Sequence, residues 1–243
     1  MELVKKEKDD HFEKIGTILC AMLICICNWI SPAEAYSFND NRNPVLPHTD
    51  IVLDAGHGGI DGGTVYGDIL EKDINLAIAK KTYDLLIDKK FRVILNRSDD
   101  HALSDDNRWL KNRSRHLRDL AQRKQLANEM NVKILVSIHA NSSRNRHESG
   151  AIVLHQKKDE SKLLSSYLQK ELNQITGVPN KSVYGKKYYL LKFTKCPAVI
   201  VEVGFLTNET DRKRMTSEQG QKQIAEALVK GIDRYLKEVL NHP

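Results

Sequence analysis

Cysteine is scarce in this 243-residue chain and poorly placed for bridging. Of four, Cys20, Cys25 and Cys27 share one apolar stretch, and only Cys196 lies beyond it. A lone thiol cannot close an internal disulfide, so the domain that carries it must be held by its own core. None of the three clustered cysteines follows the small residue that a lipoprotein site needs. Cys196, just before Pro197 and an apolar run, reads as a small core residue rather than a nucleophile. Aromatic residues make up only 6% and are not interleaved with the basic ones, which argues against nucleic acid as a partner. Gly-x-Gly-x-x-Gly, a P-loop lysine, Gly-x-Ser-x-Gly, Ser-x-x-Lys and His-Glu-x-x-His are all missing, so nucleotide cradles and the common serine and zinc-protease motifs have no carrier here. There are no internal repeats.

The one long apolar run, residues 15–30, follows Lys5, Lys6, Lys8 and Lys14 and precedes Ala33-x-Ala35. Residues 1–35 therefore read as a signal peptide or an uncleaved membrane anchor. In either case the domain beyond Ala35 is delivered outside the cytoplasm, with no other membrane attachment expected. Residues 36–50, rich in Asn, Asp and Pro, read as a linker. The leader holds six acids against four lysines, so the remainder is more basic than the whole-chain net charge of +6. A basic exported domain suits anionic wall polymers or membrane surfaces, although positive charge also simply aids solubility.

From residue 51 the pattern alternates. Residues 51–54 form a short apolar strand ending in glycines, and the spacing of Ile74, Ala77, Ile78, Leu85 and Leu86 predicts a helix from Lys72. Strands are expected at 91–96, 134–139, 151–155, 188–191 and 198–203, with helices at 113–130, 160–175, a short one after Asn208, and a long C-terminal one. This predicts a single α/β domain over 51–240, an open, mostly parallel twisted sheet of about six strands flanked by helices on both faces. The sequence ends with the last helix, so no separate wall-binding module is expected.

In such sheets function gathers at the carboxyl ends of strands, and His57, His139 and Glu202 fall there. Two histidines and a carboxylate, with a further carboxylate to move protons, match what a catalytic zinc requires, and Glu71 and Glu202 supply the acids. Each residue alone has a plainer explanation. The glycines around His57 could cradle phosphate, Glu71 is favoured by the dipole of the helix it opens, and Glu202 could pair with an arginine. Glu202 is the hardest to dismiss, because Val199, Ile200, Val201 and Val203 bury its strand and an unpaired buried carboxylate is costly. The run Arg108, Lys111, Arg113, Arg115, Arg118, Arg123 and Lys124 is mostly a solvated helix face. Arg123 is the exception, a candidate substrate contact set beside Leu120, Leu126 and Ala127. His48, His101, His116, His147 and His155 lack matching partners and read as structural or surface residues.

Four ordered stretches, Leu53-Asp54-Ala55-Gly56-His57-Gly58-Gly59, Leu70-Glu71-Lys72-Asp73, Ser137-Ile138-His139-Ala140-Asn141 and Val201-Glu202-Val203-Gly204-Phe205-Leu206-Thr207-Asn208, together resemble the zinc-dependent N-acetylmuramoyl-L-alanine amidases of the amidase type 3 family. The resemblance covers about residues 51–236. It implies zinc held by His57, Glu71 and His139, Glu202 as the catalytic carboxylate, and peptidoglycan cut between the lactyl group of muramic acid and L-alanine. Gly58 and Gly59 would then admit substrate close to the metal, and Asn141 would orient substrate or a ligand histidine. A lone catalytic domain behind a targeting segment is similar to the sporulation and germination-specific members that act on spore cortex, which implies work in the forespore intermembrane space. No insertion resembling the regulatory helix of cell-splitting members is present, so control by an exported or lipoprotein activator is expected instead. Two other classes stay open: a different exported zinc hydrolase, such as a sugar deacetylase or peptidase, and a wall-binding protein that has lost catalysis.

Overall fold

The computed structural model describes residues 49–240. The expected leader, and the linker apart from Thr49 and Asp50, lie outside the described residues. Asp50 already belongs to the domain: it is buried, and it pairs with Arg92 and Lys133 at 2.9 Å each.

A six-stranded sheet carries the molecule. In chain order its strands are β1 (Ile51–Ala55), β4 (Val93–Leu95), β5 (Ile134–Asn141), β6 (Ile152–His155), β7 (Val183–Tyr184) and β8 (Ala198–Phe205), while β2 (Val65–Tyr66) and β3 (Ile69–Leu70) form a separate hairpin. The order across the sheet is β4-β1-β5-β8-β6-β7. The first four run parallel, β6 is antiparallel to β8, and β7 follows β6. The central strands are apolar on both faces because helices cover both.

On one face Leu53, Val136, Ile138, Val199 and Val201 pack against helices α1 (Glu71–Asp88), α3 (Asp159–Thr176) and α6 (Glu218–Leu240). On the other, Val52, Leu135 and Ile200 meet α2 (Arg115–Glu129) and the short α4 (Tyr189–Phe193). The remaining helix, α5 (Glu209–Thr216), follows β8. Local chemistry sets several helix ends. Ser114 caps α2 by accepting from Leu117 N–H, Asn208 caps α5 by accepting from Asp211 N–H, and α3 ends at Gly177 in a left-handed conformation.

One expected element is corrected. Residues 188–191 are not a strand: Tyr189–Phe193 is helical, and the edge strand lies earlier, at Val183–Tyr184. An apolar run of four residues cannot distinguish a buried strand from one helical turn, and here Leu190 and Leu191 are buried side by side beneath α2. Among the described residues no helix is long and apolar enough to cross a membrane.

Candidate metal centre

Strand alternation aims the site. Along β1 and β5, Leu53, Ala55, Val136 and Ile138 point to one core, so Asp54, Ser137 and His139 point to the opposite face. His139 and Glu202 are Cα partners across β5 and β8, which places both side chains on that face at the same level. His57 follows β1, and Glu71 opens α1.

Tertiary packing joins three of these four residues directly. Glu71 Oε1 lies 3.2 Å from His57 Nε2 and 3.0 Å from His139 Nδ1, and the two imidazoles meet edge to face at 4.9 Å between centroids. One potential ligand atom from each residue lies within 4.8 Å of the others. Glu71 is further held by the N–H groups of Thr64 (2.8 Å) and Ala140 (3.1 Å) and by the Asn75 amide (3.2 Å). The Ala140 N–H sits in an irregularity where the β5–β8 register shifts, a feature common beside functional sites. His57 Nδ1 faces Asp61 at 3.0 Å. Such carboxylate–imidazole pairs fix the ring of a ligating histidine.

The electrostatics result from burial and these contacts. Burial works against the Glu71 carboxylate, but hydrogen bonds from His139 and His57 outweigh it and hold its pKa well below the ordinary 4.5. Burial likewise works against protonated His57, yet Glu71 and Asp61 raise its pKa to about 9. Glu202 behaves oppositely: burial of its carboxylate, reinforced by the charge of Glu71, pushes its pKa above 4.5 against the pull of His139 and His57. The two acids therefore divide into an anion that binds cations and a carboxylate poised to take up a proton. Both face a cavity of about 440 Å³ whose lining includes His57, Glu71, His139, Asn141, Tyr188 and Glu202.

A metal-sized cluster also needs room for its rings. A Cβ on Gly56 would collide with the His139 ring, coming within 2.6 Å of Nδ1, and one on Gly63 would lie 2.6 Å from His57 Cδ2 and 2.7 Å from Glu71 Oε2. Gly56→Ala is expected to destabilise the metal-free protein by about 1–3 kcal/mol through overpacking, read from denaturant midpoints; an unchanged midpoint would show that the ring moves freely.

The remaining expected site residues sit differently. Gly58 and Gly59 do not line the cavity. Their positive φ values (135° and 56°) and the closeness of His101 and Ala102 explain the glycines: a Cβ on Gly59 would lie 2.8 Å from Ala102 N. Asn141 does line it, with Oδ1 accepting from Ser142 N–H. Arg123, the other candidate substrate contact, also borders the cavity, with its donors already engaged. It is 3% exposed and committed to Asp54 (2.7 Å), Asp119 (2.5 Å) and the carbonyls of Ala55 and His57 (2.8 Å each). Of the five other histidines, His48 lies outside the described residues. His101 pairs with the surface carboxylates Asp99 and Asp106, and exposed His116 stands at the cavity rim.

Sequence reasoning missed Asp54, Asp61, Gly63 and Asn75. Asp54 is 1% exposed and accepts from Arg123, Asn96 and Ser137. Asp61 and Gly63 sit in the same glycine-dense loop as His57, which was the available signal; Asn75, one turn after Glu71 on α1, gave none.

Known proteins share this arrangement of chain. The family profile for N-acetylmuramoyl-L-alanine amidase matches residues 51–234. The germination-specific N-acetylmuramoyl-L-alanine amidase of Bacillus subtilis is 34% identical over 210 residues, covering 84% of this chain and 87% of that protein. The probable cell wall amidase LytH of Staphylococcus aureus is 29% identical over 247 residues, 96% of this chain and 77% of that protein. The CwlD amidase from Clostridioides difficile, solved in complex with the GerS lipoprotein, superposes with a TM-score of 0.73 at 37% identity, covering 78% of this chain and 99% of that one. The chain therefore belongs to the N-acetylmuramoyl-L-alanine amidase family of peptidoglycan hydrolases.

Proposed function

We propose that His57, Glu71 and His139 hold a zinc ion and that Glu202 is the catalytic carboxylate in cleavage of the muramoyl–L-alanine amide. The observation that carries this reading is one carboxylate oxygen shared by two imidazoles, beside a second carboxylate whose environment favours its protonated form. Two nitrogens and an oxygen suit zinc, and Gly56 and Gly63 leave room for the rings that bear them. Zinc in such a set supplies a Lewis acid that polarises a carbonyl and acidifies water.

The chain's own residues do the rest. Glu202, ionised, accepts a proton from the attacking water at a side-chain oxygen and returns it to the nitrogen of the departing L-alanine. Asp61 holds His57 Nδ1, leaving Nε2 toward the site, while the N–H groups of Thr64 and Ala140 fix the Glu71 carboxylate. The cavity walls at Tyr188 and Asn141 bound the space for the glycan and the peptide stem.

Because Glu202 must be ionised to act, activity is expected to fall as acid protonates it. A kcat/KM profile measures that limb; one that stays flat through the carboxylate range at constant zinc content would remove Glu202 from the proton-transfer role.

We further infer action outside the cytoplasm on cell-wall peptidoglycan, including spore cortex in the forespore intermembrane space. The kinship with a germination-specific amidase and a probable cell wall amidase supports this. The Clostridioides difficile relative is seen with a lipoprotein, which supports an exported lipoprotein as activator here. The deciding experiment measures zinc content together with new L-alanine amino termini released from peptidoglycan. Stoichiometric zinc with those termini supports the amidase reading. Zinc with release of acetate, or of residues lower on the stem, would replace it with a deacetylase or peptidase; no zinc would undo the site.

A further inference from the structure

Two buried guanidinium groups converge on the segment that carries His57. Arg97, just past β4, donates from Nε to Ala55 O (3.0 Å), from Nη2 to Gly56 O (3.0 Å) and Lys72 O (2.8 Å), and from Nη1 to Asp99 O (3.0 Å). Arg123, on α2, donates to Ala55 O and His57 O at 2.8 Å each while its other donors hold Asp54 and Asp119. Three successive carbonyls, of Ala55, Gly56 and His57, thus all face guanidinium groups, and Asn75 adds a second donor to Gly56 O (3.2 Å).

The segment needs holding. His57 has φ +60°, a left-handed conformation unfavourable for a side chain with a Cβ, and Gly58 and Gly59 continue with positive φ. In that conformation the His57 imidazole meets the ring of His139, on β5, at 4.9 Å between centroids. Arg97 is a poor choice if stability alone were at stake. It is 2% exposed, and among the described residues no carboxylate forms an ion pair with it: its hydrogen bonds all go to carbonyls, and Asp54, Asp100 and Asp119 act on its charge only at longer range. Removing a cation from water without a direct counter-ion costs more than filling the space with an apolar side chain. What a guanidinium does, and an apolar or ammonium group cannot, is pin several carbonyls in one rigid planar geometry.

We propose that Arg97 and Arg123 are positioning residues that clamp the Ala55–Gly56–His57 carbonyls and so present the imidazole of His57 to the metal. The proposal rests on the reading of His57 as a zinc ligand. Arg97 stands outside the cavity lining and Arg123 borders it with its donors engaged; the role assigned to each is exerted through the Ala55–His57 backbone.

The test compares Arg97→Lys and Arg123→Lys with Leu168→Ala, a cavity in the core beneath α3 on the other face of the sheet. Zinc dissociation constants are measured by chelator competition, the visible spectrum of the cobalt-substituted protein is recorded, and kcat and KM are determined at saturating zinc. The lysine variants keep the charge but lose the fork. Each is expected to raise the zinc dissociation constant by about 10–100-fold, as loss of groups that orient a ligand does, with a changed cobalt spectrum, a lower kcat and little change in KM. Leu168→Ala, though less heat-stable, is expected to keep the parent's zinc affinity and cobalt spectrum. Parent-like zinc affinity in a folded lysine variant would overturn the clamp, as would an equal loss in Leu168→Ala, which would reduce it to general stability. If only one lysine variant folds, that one decides. A parent that takes up no zinc would instead bring down the metal assignment, and the clamp with it.

Discussion

Glu202→Gln is expected to lower release of L-alanine amino termini by about 10²–10⁴-fold, the usual worth of a positioned proton-transfer group, while zinc content stays at the parent level. The amide keeps the shape of the side chain but cannot accept the water proton. Zinc is retained because Glu202 stands outside the group formed by His57, Glu71 and His139. A second readout separates loss of chemistry from loss of fold. Burial and Glu71 raise the Glu202 pKa above its ordinary 4.5. Its contribution to stability is therefore full below 4.5 and is lost as pH rises through the folded-state value. In the metal-free protein the group weakens the fold wherever it is ionised, so with zinc removed the neutral amide is expected to melt no lower than the parent. Activity within tenfold of the parent would remove Glu202 from the mechanism; loss of zinc in the variant would make it a ligand instead.

Glu71→Gln is expected to abolish both zinc retention and activity, and to destabilise the metal-free protein as well. Both oxygens of Glu71 are engaged by donors, from Thr64, Ala140 and Asn75, so an amide nitrogen in either place confronts a donor with another donor. Leaving a buried N–H unmet costs about 1–3 kcal/mol. The sign of the pH dependence is fixed by the two shifts. Glu71 is held below 4.5, so its stabilising contribution is present above 4.5 and is lost as pH falls toward its folded-state value. His57 is raised from 6.5 to about 9, so its contribution is full below 6.5 and gone above about 9. The stability gap between metal-free parent and Glu71→Gln should be widest between 4.5 and 6.5 and shrink on both sides. Denaturant melts in chelator across acid, neutral and alkaline buffers measure it; a gap independent of pH would mean that the pairing of Glu71 with the histidines contributes nothing.

The sequence by itself determined which residue types stand at the ends of which strands. Largely apolar, β-branched runs such as Ile134–Ile138 and Ala198–Val203 read as strands covered on both faces, and the alternation of strands with helices left little besides a mostly parallel sheet. Donor chemistry is also local: an imidazole or carboxylate is available wherever His57, Glu71, His139 or Glu202 is placed, and ordered motifs at fitting separations make the family resemblance specific. Tertiary structure decided partnership. Periodicity reports that a face is covered but not by what, so Arg123 reads as buried on its helix without Asp54, 69 residues away, to explain it. The helix at Tyr189–Phe193 is ambiguous in sequence because two adjacent leucines satisfy a strand or a helical turn until α2 is seen against them. The glycines that matter most to the rings, Gly56 and Gly63, are known only once His139 and Glu71 have been folded against them. Ion pairs, left-handed turns held by distant donors, and the space a missing Cβ leaves open all depend on distances between elements far apart in sequence, and the docking of α1 and α2 on the sheet is what sets those distances.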